Sequence, residues 1–189
     1  NYSTLSKRCA MPNTTARNMS VTQDLCISWL IHNFNHPANS IDKRVYGQLC
    51  GDSRPDMLFT CPTASGRSIA CAVEIDENEH RYLNGGKTRE RDRMKFLIRE
   101  IPGAAWIFIR FNPDDYEISS EKLSEGKKSK PSLSERLLLL KIVLKAAIQE
   151  ASERSPQVKK SSVWYLFYSD NNTLDNSDSD FKVYKIFEK

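Results

Sequence analysis

What this chain lacks narrows its class quickly. No apolar run approaches the roughly 18 residues that a membrane helix requires; the run from Leu137 to Leu140 is closed by Lys141. A membrane partner is therefore not expected. Only seven glycines are present. They are scattered, and Gly85-Gly86 reads as a turn rather than a phosphate-cradling loop. The five cysteines, an odd count, form no Cys-x-x-Cys pair, which argues against a disulfide framework and against a paired zinc site. They read as reduced thiols of an intracellular protein. Internal repeats are absent, and no Ser/His/Asp arrangement stands out. Asn1 stands where an initiator Met is expected, which suggests a fragment or a processed chain.

What remains is the profile of one globular domain. The 189 residues are 39% hydrophobic and 28% charged, enough apolar material for a sizeable core. A net charge of +4 permits a nucleic-acid partner without demanding one. Residues 1–19 are polar and aperiodic and read as a flexible arm. Residues 20–189 read as a single domain, with 116–189 as an extension made of a helix and a β-hairpin.

Hydrophobic periodicity supplies the elements. Ser20 reads as an N-cap for a buried helix over 21–34, with Val21, Leu25 and Trp29 as its stripe and Ile27, Leu30, Ile31 and Phe34 widening it. Residues 44–49 suit a short strand. Strands over 57–60 and 69–75 flank a turn-rich Pro62–Gly66 linker. Thr88 can cap a helix with Met94, Leu97, Ile98 and Ile101 on one face, stopped by Pro102-Gly103. Ala104–Phe111 has the continuous apolar pattern of a strand buried on both faces. Ser132–Glu135 is a capping box before a long Leu-rich helix with few exposed positions. Strands over 163–168 and 181–187 close the chain. The order points to a three-layer α/β or α+β domain around a mixed sheet.

The chemistry concentrates between Arg54 and His80. Asp56 opens one strand, while Glu74 and Asp76 close the next. Period-2 alternation puts Glu74 and Asp76 on one face and Ile75 on the other. If the two strands form a hairpin, its open end brings Asp56 beside both acids. Three converging carboxylates repel one another unless a hard cation lies between them, and oxygen-only ligation suits Mg²⁺ or Mn²⁺. The plainer reading is a solvated strand end.

The ordered set Arg54-Pro-Asp56-Met-Leu-Phe59, Val73-Glu74-Ile75-Asp76 with His80, Arg91-Asp92, and Ile107-Phe-Ile-Arg110-Phe111 resembles the PD-(D/E)xK nuclease superfamily. Within it, the set is most similar to the very-short-patch-repair-like branch, where Glu-x-Asp and a downstream His replace Glu-x-Lys. The resemblance spans about residues 20–112. It implies a restriction-endonuclease-like core, with Asp56 and Glu74 as metal-binding carboxylates and Asp24 at the place of a helical acid that completes the site. Asp76 stands where the superfamily usually has Lys, so that role falls to His80, Lys87, Arg91 or a second metal. Asp24 shares a helix face with Ile27 and Ile31, a costly place for an unpartnered carboxylate. His80 is either a proton-transfer group or an exposed loop residue. Arg91, on the stripe of Met94 and Ile98, is expected to point inward, to a carboxylate or a phosphate.

Charge adds to this picture. Cys71 to His80 carries four acids and no Lys or Arg, whereas Arg81 to Arg110 carries eight Lys/Arg against three acids. An acidic pocket beside a basic helix suits a phosphodiester substrate, with Lys87, Arg89, Arg93 and Lys95 as the nucleic-acid contacts. The expected activity is metal-dependent endonucleolytic cleavage, of DNA ahead of RNA. Double-strand cutting would favour a homodimer or larger assembly. The alternative is a nuclease-derived domain that no longer cuts and serves as a nucleic-acid-binding or assembly subunit.

Overall fold

The computed structural model describes residues 21–34, 40–41, 45–46, 52–62, 68–77, 86–101, 104–114, 131–153, 161–169, 173–174 and 178–186. In chain order its elements are α1 (Val21–Asn33), β1 (Ser40–Ile41), β2 (Val45–Tyr46), β3 (Asp52–Ser53), β4 (Met57–Pro62), β5 (Ser68–Ile75), α2 (Gly86–Glu100), β6 (Ala104–Phe111), α3 (Leu133–Glu153), β7 (Ser161–Leu166) and β8 (Phe181–Ile186). Six strands form one sheet in the order β1-β4-β5-β6-β7-β8, and β2 pairs with β3 in a separate two-stranded sheet. Ser20, proposed as the N-cap, lies outside the described residues.

The sheet is mixed. β1, β4 and β5 run antiparallel in turn, with Met57 opposite Val73 in the β4–β5 pair, so the hairpin on which the carboxylate convergence is conditional is formed. β6, β7 and β8 then run parallel to β5 and to one another. The final pair is thus not the hairpin expected from the sequence. Phe181 lies beside Ser161 and Ile186 beside Leu166, a parallel register that a tight hairpin turn cannot give. Both strands belong to the central sheet rather than to an appended extension.

Strand parity sorts the core into two halves. Odd positions Cys71, Val73, Ile75, Ile107, Ile109 and Phe111 pack with α1 and α3, while even positions Ala70, Ala72, Trp106 and Phe108 pack with Met94 and Leu97 of α2. The domain is therefore an α/β fold of three layers, with the sheet in the middle. On the α2 side, Ala70 and Ala72 lie beside Trp106 and Phe108 in the strand register. The small side chains leave room for the two stacked rings, whose centroids are 5.1 Å apart.

Two helices differ in phase or exposure from the sequence pattern. In α1 the buried face is Gln23, Cys26, Ile27 and Leu30, whereas Val21 is 85% exposed and Leu25 and Ile31 are about half exposed. A helix with apolar residues all round gives no phase from hydrophobicity alone. α3 begins with the expected capping box: Ser132 N–H donates to Glu135 Oε2 at 2.7 Å, and Glu135 N–H to Ser132 Oγ at 3.4 Å. Its buried stripe is Leu137, Leu140, Val143, Leu144 and Ala147, but Leu138 and Ile142 stand half exposed. Cys26 and Cys71 are buried, and burial pushes the Cys26 thiol up to about 12. No helix among the described residues is long and apolar enough to cross a membrane.

Candidate active site

The register that ends with Met57 opposite Val73 brings Asp56 and Glu74 together one step further on, at the open end of the hairpin. Asp56 is 2% exposed. Its Oδ2 accepts a 2.7 Å hydrogen bond from the Ile75 amide, and its Oδ1 accepts one from the Gln23 side chain. The hairpin thereby locks one carboxylate to its own strand, and α1 locks it from the other side. Gln23 occupies an otherwise apolar helix face because this hydrogen bond repays the burial of its amide.

Past the end of β5, Asp76 is fully buried. Its backbone continues the sheet, with the Asp76 amide donating to the Phe111 carbonyl at 2.8 Å. Its Oδ2 accepts from Arg110 Nε at 2.6 Å and from the Tyr168 hydroxyl. Tyr168 reaches it through a local twist of the chain. Phe167 has φ of 62°, a left-handed conformation that non-glycine residues seldom adopt. The turn sends the Phe167 ring to the α1–α3 side, edge-on to Phe111 at 5.9 Å, and Tyr168 to the α2 side. Its backbone is held on both flanks: the Phe167 amide donates to the Ile186 carbonyl, and Asn112 Nδ2 donates to the Phe167 carbonyl.

Arg110 continues the network to α2. Its Nη1 donates to Glu90 Oε2. Arg93, one turn along α2, contacts Glu90 through Nη1 at 3.3 Å and Glu74 Oε1 through Nη2 at 3.2 Å. The acids Asp56, Glu74, Asp76 and Glu90 and the bases Arg93 and Arg110 thus form one buried cluster at the C-terminal ends of β5 and β6. In open α/β sheets ligands bind at this end of parallel strands. Fully ionised, four carboxylates against two guanidinium groups leave two negative charges.

Burial is the largest single influence on the electrostatics of the cluster. Burial pushes the Glu74 carboxyl up to about 8; Arg93 works against this, and Asp56 and Asp76 add to it. The Glu74 carboxyl is thereby biased toward its protonated form. Burial opposes the Arg110 charge, but Asp76, Tyr168 and Glu90 outweigh it and hold the guanidinium well above its ordinary range. Burial, followed by the Asp76 charge, raises the Tyr168 hydroxyl well above the ordinary tyrosine value, keeping it a neutral donor.

The residues expected from sequence divide into three groups. Asp56, Glu74 and Asp76 come together, and Glu74 and Asp76 share the α2 side of the sheet. Asp24 does not join them: it is exposed, and its neighbour Gln23 makes the contact instead. Arg91 does not point inward either. Its Nη2 pairs with Asp180 at 2.5 Å and its Nε with Asp178 at 3.3 Å, because the inward face of α2 runs through Glu90, Arg93, Met94 and Leu97 rather than through Arg91. Lys95 also pairs with Asp180, at 2.8 Å, and Arg89 is exposed. His80 and the Lys87 side chain lie outside the described residues.

Five members of the cluster were not foreseen in this role: Gln23, Glu90, Arg93, Arg110 and Tyr168. Arg110 did carry a signal. It is the lone charge in the apolar strand Ala104–Phe111, and a cation there must find a buried partner.

The donor set suits a hard cation held by few protein ligands. Among the described residues no three His, Cys, Asp or Glu side chains form a metal-binding group. Asp56, Glu74 and Asp76 are the carboxylates that could meet a cation here; both oxygens of Asp56 and Oδ2 of Asp76 already accept hydrogen bonds, and Glu74 Oε1 meets Arg93. Mg²⁺ is commonly bound through one or two carboxylates, with water and substrate phosphate completing its shell. No family model, curated protein or solved structure matches the chain.

Proposed function

We propose that this chain is a divalent-metal-dependent endonuclease that hydrolyses phosphodiester bonds in DNA, with a restriction-endonuclease-like core. The observation that carries the reading is the convergence of Asp56 and Glu74 at the open end of the β4–β5 hairpin, inside a buried cluster of four carboxylates and two guanidinium groups. The mixed sheet between helical layers agrees with the resemblance noted in the sequence. Asp56 and Glu74 would hold the ion, which when bound supplies charge neutralisation and acidifies a water. The chain's own residues do the rest. Gln23 and the Ile75 amide fix the orientation of Asp56. Arg110 and Tyr168 hold the Asp76 carboxylate in place. Arg93, partly exposed at the edge of the cluster, would meet a substrate phosphate, and the exposed Arg89 on the same helix would meet a polyanion.

A second reading is favoured by one observation. Asp76, at the superfamily's Lys position, is tied to Arg110 and Tyr168, and among the described residues no lysine takes over that place beside Glu74. This supports a nuclease-derived domain that binds nucleic acid without cutting. Cleavage of supercoiled plasmid and single-stranded DNA in Mg²⁺ or Mn²⁺ decides between the two. Metal-dependent cutting that falls by about a hundredfold or more in both Asp56→Ala and Glu74→Ala supports the enzyme. No cutting by the wild type with any metal, with all three proteins folded and equally able to bind DNA, supports the binding subunit.

A further inference from the structure

We propose that Arg93 is the exchangeable cation of this site: it holds Glu74 in the metal-free protein, yields that carboxylate to a divalent ion, and turns its guanidinium to the nucleic-acid backbone. The proposal rests on the metal-dependent phosphodiesterase reading and adds to it how the site passes between its empty and loaded states.

The two arginines of the cluster are held very differently. The Arg110 side chain is 4% exposed and meets Asp76 at 2.6 Å, with Glu90 on its other side. The Arg93 side chain is 26% exposed, and its contacts, 3.2 Å to Glu74 and 3.3–3.4 Å to Glu90, are at the long end of the hydrogen-bond range. Among the described residues Arg93 is the one side chain that hydrogen-bonds to Glu74. It therefore occupies the carboxylate that a metal ion would need, and its charge opposes the ion's arrival.

Glu90 explains why displacement need not cost the site its guanidinium. It is anchored by the buried Arg110 and sits one turn before Arg93 on the same helix, so it keeps hold of Nη1 while Nη2 leaves Glu74. The freed N–H groups then lie at the partly exposed mouth, where the planar fork of an arginine suits phosphate oxygens.

The test is Mn²⁺ binding followed by electron paramagnetic resonance at pH 8.5, on wild type, Arg93→Gln, Arg93→Lys and Glu74→Gln, each checked for fold by circular dichroism. The wild type should bind saturably and Glu74→Gln should not. Arg93→Gln should bind about tenfold more tightly, as expected for removing one like charge close to the ion, and Arg93→Lys should shift the same way by less. In Ca²⁺, affinity of Arg93→Gln for a DNA duplex should fall, with the slope of log affinity against log salt reduced by about one.

Unchanged or weaker Mn²⁺ binding in both Arg93 variants, beside a saturable wild type and a silent Glu74→Gln, would overturn the exchange while leaving the metal site standing. An unchanged DNA salt slope would overturn the phosphate contact, and with it the proposal. Absence of saturable binding in the wild type would remove the metal site itself, and the exchange with it.

Discussion

The Tyr168 hydroxyl donates a hydrogen bond to the Asp76 carboxylate from 92 positions away in the chain. The two residues follow β7 and β5, which are not neighbours in the sheet; β6 lies between them and contributes Arg110 to the same carboxylate. Where the backbone ladder ends, three side chains therefore continue to tie three strand ends together. The left-handed Phe167 is what turns Tyr168 into this position, and such strain persists only where surrounding contacts over-determine it. The rigid half of the site, Asp76–Arg110–Tyr168, is built in this way, and the exchangeable half, Glu74–Arg93, leans against it through Glu90.

Removing the hydroxyl should be felt as lost stability. Tyr168→Phe leaves the ring packed and deletes one buried donor to a charged acceptor, a cost of about 1–3 kcal/mol. Asp76→Asn should cost more, about 3–5 kcal/mol, because it leaves Arg110 buried with only part of its compensating charge. Urea denaturation of the three proteins at pH 7 measures both. A Tyr168→Phe midpoint equal to that of the wild type would mean the hydroxyl contributes nothing to the network.

Stability of the metal-free protein should fall as pH rises. Glu74 titrates near 8 in the folded chain, against about 4.3 in an unfolded one. Between those values the folded state binds more protons than the unfolded state, so the contribution of this group to unfolding free energy declines with pH. It is fully present below the unfolded value and lost by the time pH passes the folded one. Glu74→Gln carries no such titration. In a chelator, its melting temperature should overtake that of the wild type between pH 5 and pH 9. Parallel pH profiles for the two proteins would show that Glu74 is not the group responsible.

The hairpin that carries Asp56 and Glu74 was legible because both signals are local. A period of two fixes which residues share a face, and a turn-rich linker fixes the pairing. Helix phase was harder to read. Gln23 and Asp24 are adjacent, yet about 100° apart around α1, and the apolar residues surrounding them did not say which faced inward. Arg91 and Arg93 pose the same difficulty on α2: Met94 is compatible with either as its inward neighbour, and only the strand ends beneath the helix decide. The β7–β8 relation was out of reach for another reason. The chain between Leu166 and Phe181 is long enough either for a loose hairpin or for a crossover, so its length alone does not choose between them.

The α1 contact gives a direct contrast between adjacent residues. Gln23→Ala removes the side-chain donor to Asp56 Oδ1 and leaves a buried carboxylate oxygen short of a partner, which should cost about 1–3 kcal/mol. Asp24→Ala alters an exposed position and should stay within about 0.5 kcal/mol of the wild type. Chemical denaturation of both variants checks the assignment. If Asp24→Ala proved the more damaging, the phase of α1 would be wrong by one residue.

Arg91 separates the sequence expectation from the structure most cleanly. Its pairs with Asp178 and Asp180 join α2 to the start of β8, and its side chain is 34% exposed. The Asp180 hydrogen bond holds its guanidinium above the ordinary value, with Asp178 adding to the effect. The same contact and the Lys95 ammonium hold the Asp180 carboxyl below its own. Ion pairs this open to solvent are weakened by salt, and none of them touches Glu74 or Asp56. Arg91→Ala should therefore leave Mn²⁺ affinity within about twofold of wild type, since a screened charge at this distance contributes little. Any change in its melting temperature should shrink as salt is raised from low to physiological concentration. Arg93→Gln, two residues along, should shift the same metal titration about tenfold. A large shift in Mn²⁺ affinity for Arg91→Ala and none for Arg93→Gln would return Arg91 to the site and give the inward face of α2 a different phase.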